Sequence, residues 1–206
     1  MTTKKRVAEK PKLSVQGHRP AAPLHWGSAG GWIEAVVGSM FSGKTQELIR
    51  RLRLATIARQ KVQVFNSALD TRYAKSHIVS HDLHKIPSTA VADAREILRV
   101  IEPDTQVVGI DEVQFFGEDA VAVCEELADQ GRRVIIAGLD QDYRGVPFVV
   151  TTRLMGVAEF VTKNLAICSV CGSPANRSQR LSVSKKRIEV GAADKYEARC
   201  RRCFTR

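Results

Sequence analysis

The sequence predicts an α/β fold, with a mostly parallel β-sheet covered by helices on both faces and a small metal-stabilised appendage. Three observations carry this. Short apolar, β-branched runs alternate with amphipathic stretches at helical spacing, the pattern of parallel strands joined by crossover helices. The first run leads into Gly38-Ser39-Met40-Phe41-Ser42-Gly43-Lys44-Thr45, which fits GxxxxGKT. Near the C-terminus, Cys168-x2-Cys171 and Cys200-x2-Cys203 offer four thiolates.

Residues 1–30, rich in Pro, Lys, Gly and Ala, read as a flexible basic leader ending near Gly30-Gly31. Trp32 to Val37 (WIEAVV) is short and apolar, which suits a buried strand. After the glycine loop, Leu48, Ile49, Leu52 and Ala55 recur at helical spacing, so a helix is expected over 45–58. Strand, glycine loop and helix together make the motif a P-loop. Its glycines let successive backbone N–H groups point at phosphate oxygens. Lys44 is then the β/γ-phosphate ligand, and the Thr45 hydroxyl helps hold Mg²⁺.

Val62 to Asn66 reads as the second strand. The polar stretch after it carries His77, His81 and His84, read as loop histidines because no helix aligns them. Residues 92–101 form a short amphipathic helix before Pro103. Gln106 to Ile110 is a strand running into Asp111-Glu112, placing two carboxylates at the sheet edge where such folds bind ligands. Asp111 belongs to the hydrated Mg²⁺, which leaves Glu112 free as a base that takes a proton from an attacking hydroxyl or orients an attacking water. The nucleotide side therefore comprises Gly38 to Thr45 together with Asp111, Glu112, Val113 and Gln114. Glu118 to Gln130 is a helix closed by Gly131, and Val134 to Leu139 is a buried strand ending at Asp140. Cys124 sits among Val121, Val123 and Leu127, the setting of a small core residue.

The two CxxC pairs are separated by 28 residues. Each turn supplies two thiolates, and four close a tetrahedral zinc shell with no open position for water. The zinc is thus expected to be structural and to tie down the base of the Ser173–Arg199 loop. Predicted boundaries are 1–30 for the leader, 31–162 for the nucleotide-binding domain and 163–206 for the zinc-binding domain.

The formal net charge of +10 lies largely at the two ends. Residues 163–206 carry eleven basic residues against Glu189, Asp194 and Glu197. A solvated basic segment is the preferred reading over a nucleic-acid surface. No apolar run is long enough to span a membrane, and the basic N-terminus lacks the apolar core of a signal peptide. Paired cysteines in this setting fit metal binding in a reducing cytoplasm.

Beyond these local readings, the chain resembles the P-loop, zinc-containing (type II) thymidine kinases over about residues 32–204. The matching text is GSMFSGKT at 38–45, DTRY at 70–73, IDEVQFF at 110–116 and GLDQDYRGVPF at 138–148. The two CxxC pairs and GAADKY at 191–196 complete it. The resemblance implies ATP-dependent transfer of the γ-phosphate to the 5′-hydroxyl of thymidine, with deoxyuridine tolerated. It implies that Glu112 is the general base, that Thr45 and Asp111 hold Mg²⁺, and that Arg72 sits near the transferring phosphate.

A lasso between the zinc pairs is implied to close over the nucleoside, holding the base through Arg187, Ile188, Glu189, Val190 and Gly191 with Tyr196. Met40, Leu139, Tyr143, Phe148 and Ser178 fall at positions that line the base pocket. The family further implies a homotetramer and feedback inhibition by thymidine triphosphate. Tyr143 stands where many members have Phe, and Val113 replaces a glycine common in animal members. The rival reading is a nucleic-acid-dependent ATPase with a zinc ribbon, because Asp111-Glu112-Val113-Gln114 resembles a DExx motif. Its length argues against that, since a motor needs two such cores.

Overall fold

A computed structural model describes residues 30–69, 77–79, 85–181 and 195–205, with the backbone alone at 77–79 and 85. The order is β1 (Trp32–Gly38), α1 (Lys44–Ile57), β2 (Val62–Ser67), β3 (His77–Val79), β4 (Lys85–Pro87) and β5 (Thr89–Val91). It continues with α2 (Ala94–Val100), β6 (Val107–Asp111), a 3₁₀ turn (Val113–Phe115), α3 (Asp119–Asp129), β7 (Arg133–Leu139) and α4 (Val149–Val157). Then come β8 (Phe160–Asn164), β9 (Ala166–Ile167), β10 (Pro174–Ala175), β11 (Arg177–Arg180) and β12 (Tyr196–Arg199).

Six strands form one sheet in the order β5-β2-β6-β7-β1-β8. Every pairing in it is parallel. Side chains along the central strands alternate between two apolar clusters. Ile33, Ala35, Val37, Val108, Ile110, Val134 and Ile136 face α2, α3 and α4, where Ile97, Cys124, Leu127 and Leu154 pack against them. Val36, Val107, Ile135 and Ala137 face α1, meeting Leu48, Ile49 and Leu52. Helices therefore cover both faces, as the sequence predicts.

The helix ends follow local chemistry. Asp93 caps α2 by accepting the Glu96 N–H at 2.9 Å. At the end of α3, Gly131 (φ 86°) turns left-handed. Its N–H reaches the Ala128 carbonyl at 2.8 Å, and the Arg132 N–H reaches Leu127 at 3.1 Å, the paired bonds of a Schellman ending.

Three expectations change. His77 lies in β3, paired antiparallel with β4, and not in a loop; His81 and His84 lie outside the described residues. The 162/163 boundary falls inside β8, which pairs with β1 through Asn164 and extends the sheet. The base of the Ser173–Arg199 segment is an antiparallel ladder, Arg177↔Arg199 to Arg180↔Tyr196, so its ends are joined by backbone bonds as well as by the cysteines.

Candidate active site and metal centre

The carboxyl ends of the parallel strands form the site. β1 delivers Gly38 beside Leu139 of β7 on one side and Asn164 of β8 on the other. Only glycine fits there: a Cβ on Gly38 would lie 2.3 Å from the Asn164 carbonyl oxygen and 2.9 Å from Ser42 Oγ. The loop then folds on itself. Ser42 Oγ donates to the Ser39 carbonyl at 2.8 Å, and Lys44 Nζ donates to the same oxygen at 2.7 Å. Phe41 (φ 64°) and Gly43 (φ 77°) are left-handed, and α1 starts immediately after them. A non-glycine residue held in that region stores strain, a recurrent property of functional loops.

The second half of the site comes from β6, separated from β1 by β7 alone. Thr45 Oγ1 lies 3.4 and 3.2 Å from the two oxygens of Asp111, whose side chain is buried. A hydroxyl and a buried carboxylate at the head of a glycine loop form an oxygen donor set suited to Mg²⁺. Glu112 follows in a left-handed conformation (φ 52°), partly exposed, with its own N–H donating to Asp111 Oδ1 at 3.0 Å.

Gln114 explains how Glu112 is held. Its amide nitrogen donates to Glu112 Oε2, while its amide oxygen accepts the Leu139 N–H at 2.9 Å. Gly138 makes room for it, since a Cβ there would sit 2.7 Å from Gln114 Oε1. Val113 is fully buried in the core below. The sequence places both residues on the nucleotide side. The Val113 side chain is committed to the core, and the Gln114 amide supports Glu112 from behind. Lys163 belongs to no motif, yet the structure pairs it with Asp140 at 2.8 Å across the ends of β7 and β8.

Of the residues expected around the acceptor, Ser178 on β11 accepts the Met40 N–H at 3.0 Å, joining the P-loop to the C-terminal module. Phe148 is buried, and its N–H donates to the Asp140 carbonyl at 3.1 Å. Leu139 ends β7 beside Gly38. Tyr143 and Tyr196 converge on Arg180, described below. Arg72 and Arg187 to Gly191 lie outside the described residues.

The four cysteines come together: the Sγ atoms of Cys168, Cys171, Cys200 and Cys203 all lie within 4.8 Å of one another. Cys171 and Cys200 are 3.7 Å apart, matching the edge of about 3.8 Å that Zn–S bonds of about 2.3 Å give a tetrahedron. Hydrogen bonding from Ser173 lowers the Cys171 thiol to about 6, whereas contact with Cys171 and Cys200 pushes Cys203 up to about 12. Thiols this close resist ionising together unless a cation sits among them, so the donor set fits zinc. Cys124, by contrast, is fully buried on α3, and burial pushes its thiol up to about 12, which leaves it an inert core residue.

A family model described as thymidine kinase matches residues 31–204. The chain belongs to the thymidine kinase family. Among curated proteins of that name, the one from Rhodothermus sp. (strain ITI 518) is 56% identical over 188 residues, 90% of this chain and 87% of the relative. The one from Bdellovibrio bacteriovorus (strain ATCC 15356 / DSM 50701 / NCIMB 9529 / HD100) is 56% identical over 174 residues, 84% and 85% of the two chains. Family membership thus spans both the glycine loop and the cysteine cluster, which rules against treating either as accidental.

Proposed function

We propose that this protein transfers the γ-phosphate of ATP to the 5′-hydroxyl of thymidine, giving thymidine monophosphate for nucleotide salvage. The observation that carries this reading is the convergence of Lys44, Thr45, Asp111 and Glu112 at one sheet edge, in a chain of the thymidine kinase family. Gly38 to Thr45 cradle the phosphates with backbone N–H groups, and the Lys44 ammonium leaves the Ser39 carbonyl for the β/γ-phosphate oxygens. Thr45 and Asp111 would hold the Mg²⁺ of MgATP, which would supply positive charge beside the phosphates. Glu112, fixed by Gln114, accepts the proton of the attacking 5′-hydroxyl at its carboxylate.

On the acceptor side we assign Met40, Leu139, Tyr143, Phe148, Ser178 and Tyr196 to the nucleoside, with Arg187 to Gly191 supplying backbone groups and Arg72 serving the phosphate. The four cysteines would carry one structural zinc. The proposal extends to a cytoplasmic homotetramer inhibited by thymidine triphosphate. Among the described residues, no helix is long and apolar enough to cross a membrane. The rival nucleic-acid-dependent ATPase is not favoured, because the family match accounts for the acidic segment and the cysteine pairs together.

The test is ATP-dependent phosphorylation measured over the four deoxynucleosides and deoxyuridine, with DNA and RNA as separate additions. Thymidine should be the preferred acceptor. Deoxyuridine should follow within roughly the 10–200-fold that a single apolar methyl contributes. Stimulation of ADP release by nucleic acid, with no nucleoside product, would overturn the reading.

A further inference from the structure

Arg180 is a buried cation in the C-terminal module that the proposed chemistry does not use. It is 7% exposed, and its Cζ lies 3.7 Å from the centroid of the Tyr143 ring, so the guanidinium rests on the ring face. Its edge points elsewhere: Nη2 and Nε both donate to the Tyr196 hydroxyl, at 2.6 and 3.1 Å. Face and edge of one planar cation thus hold two aromatic residues from separate parts of the chain. A lysine ammonium can neither stack nor fork in this way.

The surroundings make the arrangement directional. Ser178 and Arg180 alternate onto the same buried face of β11, and the first of them holds the P-loop through Met40. Tyr196 is the register partner of Arg180 across the β11–β12 ladder. Tyr143 sits on a turn already fixed by Asp142, whose carboxylate accepts the N–H groups of Arg144 at 2.9 Å and Val146 at 3.0 Å. The Tyr143 backbone is therefore set by its own loop, and its ring is set by the opposite module.

From this we infer that Arg180 is a positioning residue for nucleoside specificity: it locks Tyr143 and Tyr196 into one wall and so joins the β7 loop to the zinc-bearing hairpin around the acceptor. The inference rests on the proposed function, which assigns both tyrosines to the nucleoside. It concerns only how they are held. The phosphate side is held chiefly by the Ser39 carbonyl, which takes Ser42 and Lys44, and by the Thr45–Asp111 pair, so disturbing Arg180 should be felt far more by thymidine than by ATP.

Steady-state kinetics of Arg180→Lys, Arg180→Met and Tyr196→Phe test it, with thymidine and ATP varied in turn, and with zinc content and Tm as controls of folding. Arg180→Lys keeps the charge but loses the stack and the fork. It should raise the thymidine KM about tenfold while the ATP KM stays within about twofold. Tyr196→Phe should move the thymidine KM in the same direction by less. In the double variant, Arg180→Lys with Tyr196→Phe, the effect should fall short of the product of the single effects, because both break the same pair of bonds. A Tm loss with an unmoved thymidine KM, or equal shifts in both KM values, would make Arg180 a stability residue and overturn the inference alone. A wild-type protein that binds no deoxynucleoside would bring down the acceptor assignment and this inference with it.

Discussion

The cores beneath the parallel sheet and inside the cysteine module are built from different materials. On the sheet, Phe65, Leu48, Leu52, Ile97, Ile110, Leu127, Ile135, Ile136 and Leu154 are all fully buried. The module buries Ala166, Cys168, Ala175, Ala198 and Cys200, with Phe41 and Cys203 packed partly against them. A buried Leu or Ile contributes about 1.5–3 kcal/mol, an alanine methyl under about 1. The sheet can thus be stable on apolar burial. Among its described residues the module buries far less, and the zinc proposed for its four cysteines, with apparent binding free energies of about 10–16 kcal/mol, would supply what its alanines lack. On the proposed assignment, the sheet carries the phosphate chemistry and the cysteine module holds the acceptor. Two ligands of one reaction would then depend on two separate sources of order.

The largest expected effect breaks the chemistry without touching either core. Glu112→Gln should lower kcat by about 10²–10⁴, the range for removing a general base. ATP binding and Tm should be unchanged, because the amide preserves shape and Glu112 is only partly buried. A near-normal kcat in this variant would remove the carboxylate from the mechanism.

Removing the metal should separate the two regions. Cys200→Ser, or exhaustive chelation, should take bound zinc from about one per chain to none. Thymidine affinity should fall at least about tenfold more than ATP affinity, because the module loses its support directly and the P-loop only its Met40 and Phe41 contacts. Calorimetry should retain the transition of the sheet. Equal losses for both ligands would mean that the two regions fold as one unit.

Much of this division is legible in the sequence, and the limits have physical causes. The P-loop, the acidic end of β6 and the two CxxC pairs are set by chemistry that tolerates few residue types. β1, α1, β6, α3 and β7 are long enough for their periodicity to show. The α4 segment VVTTRLMGV is different: its β-branched start has strand propensity, and it becomes helical because Val150, Thr151 and Leu154 are buried from one face. β8 is hard to find because it is an edge strand with Phe160 and Val161 exposed, so no buried pattern marks it. β11 and β12 are four residues each, RSQR and YEAR, and their polar composition gives no strand signal. The support that Gln114 gives Glu112 depends on a contact with Leu139 that is 25 residues away in the chain and has no sequence signature.

A cavity in the sheet core tests the other side of the comparison. Leu52→Ala, at a fully buried position between α1 and the sheet, should cost about 2–5 kcal/mol. Zinc stoichiometry should stay at about one, and the ratio of thymidine to ATP affinity should not move. Loss of zinc in this variant would show that the module depends on the sheet for its fold.

The smallest effect concerns acid, where the two regions should fail for different reasons. Glu34 on β1 is buried, which alone pushes its carboxyl up. Bonds from Arg133 at 2.6 Å, Trp32 Nε1 at 2.8 Å and Arg51 at 2.8 Å outweigh this and hold it below the ordinary 4.5. Glu47 on α1, bonded first by Arg50 and then by Arg51, is lowered to about 2. A depressed carboxyl contributes stability that is fully present above its ordinary value and disappears as pH falls through the folded one. The sheet should therefore hold its Tm from pH 7 to about 5 and lose it progressively below 4.5, toward 2. Glu47 pairs with Arg50, whose side chain is exposed on the helix surface, so its share should be at most about 1 kcal/mol and should shrink in high salt. Zinc should leave the module earlier in the same titration, because its ligands must be thiolates and protons compete for them directly. Glu34→Gln should lower the Tm at pH 7 and flatten the slope below pH 4.5 without altering the pH of zinc release. A slope that persists unchanged in Glu34→Gln would assign the acid response of the sheet to other carboxylates.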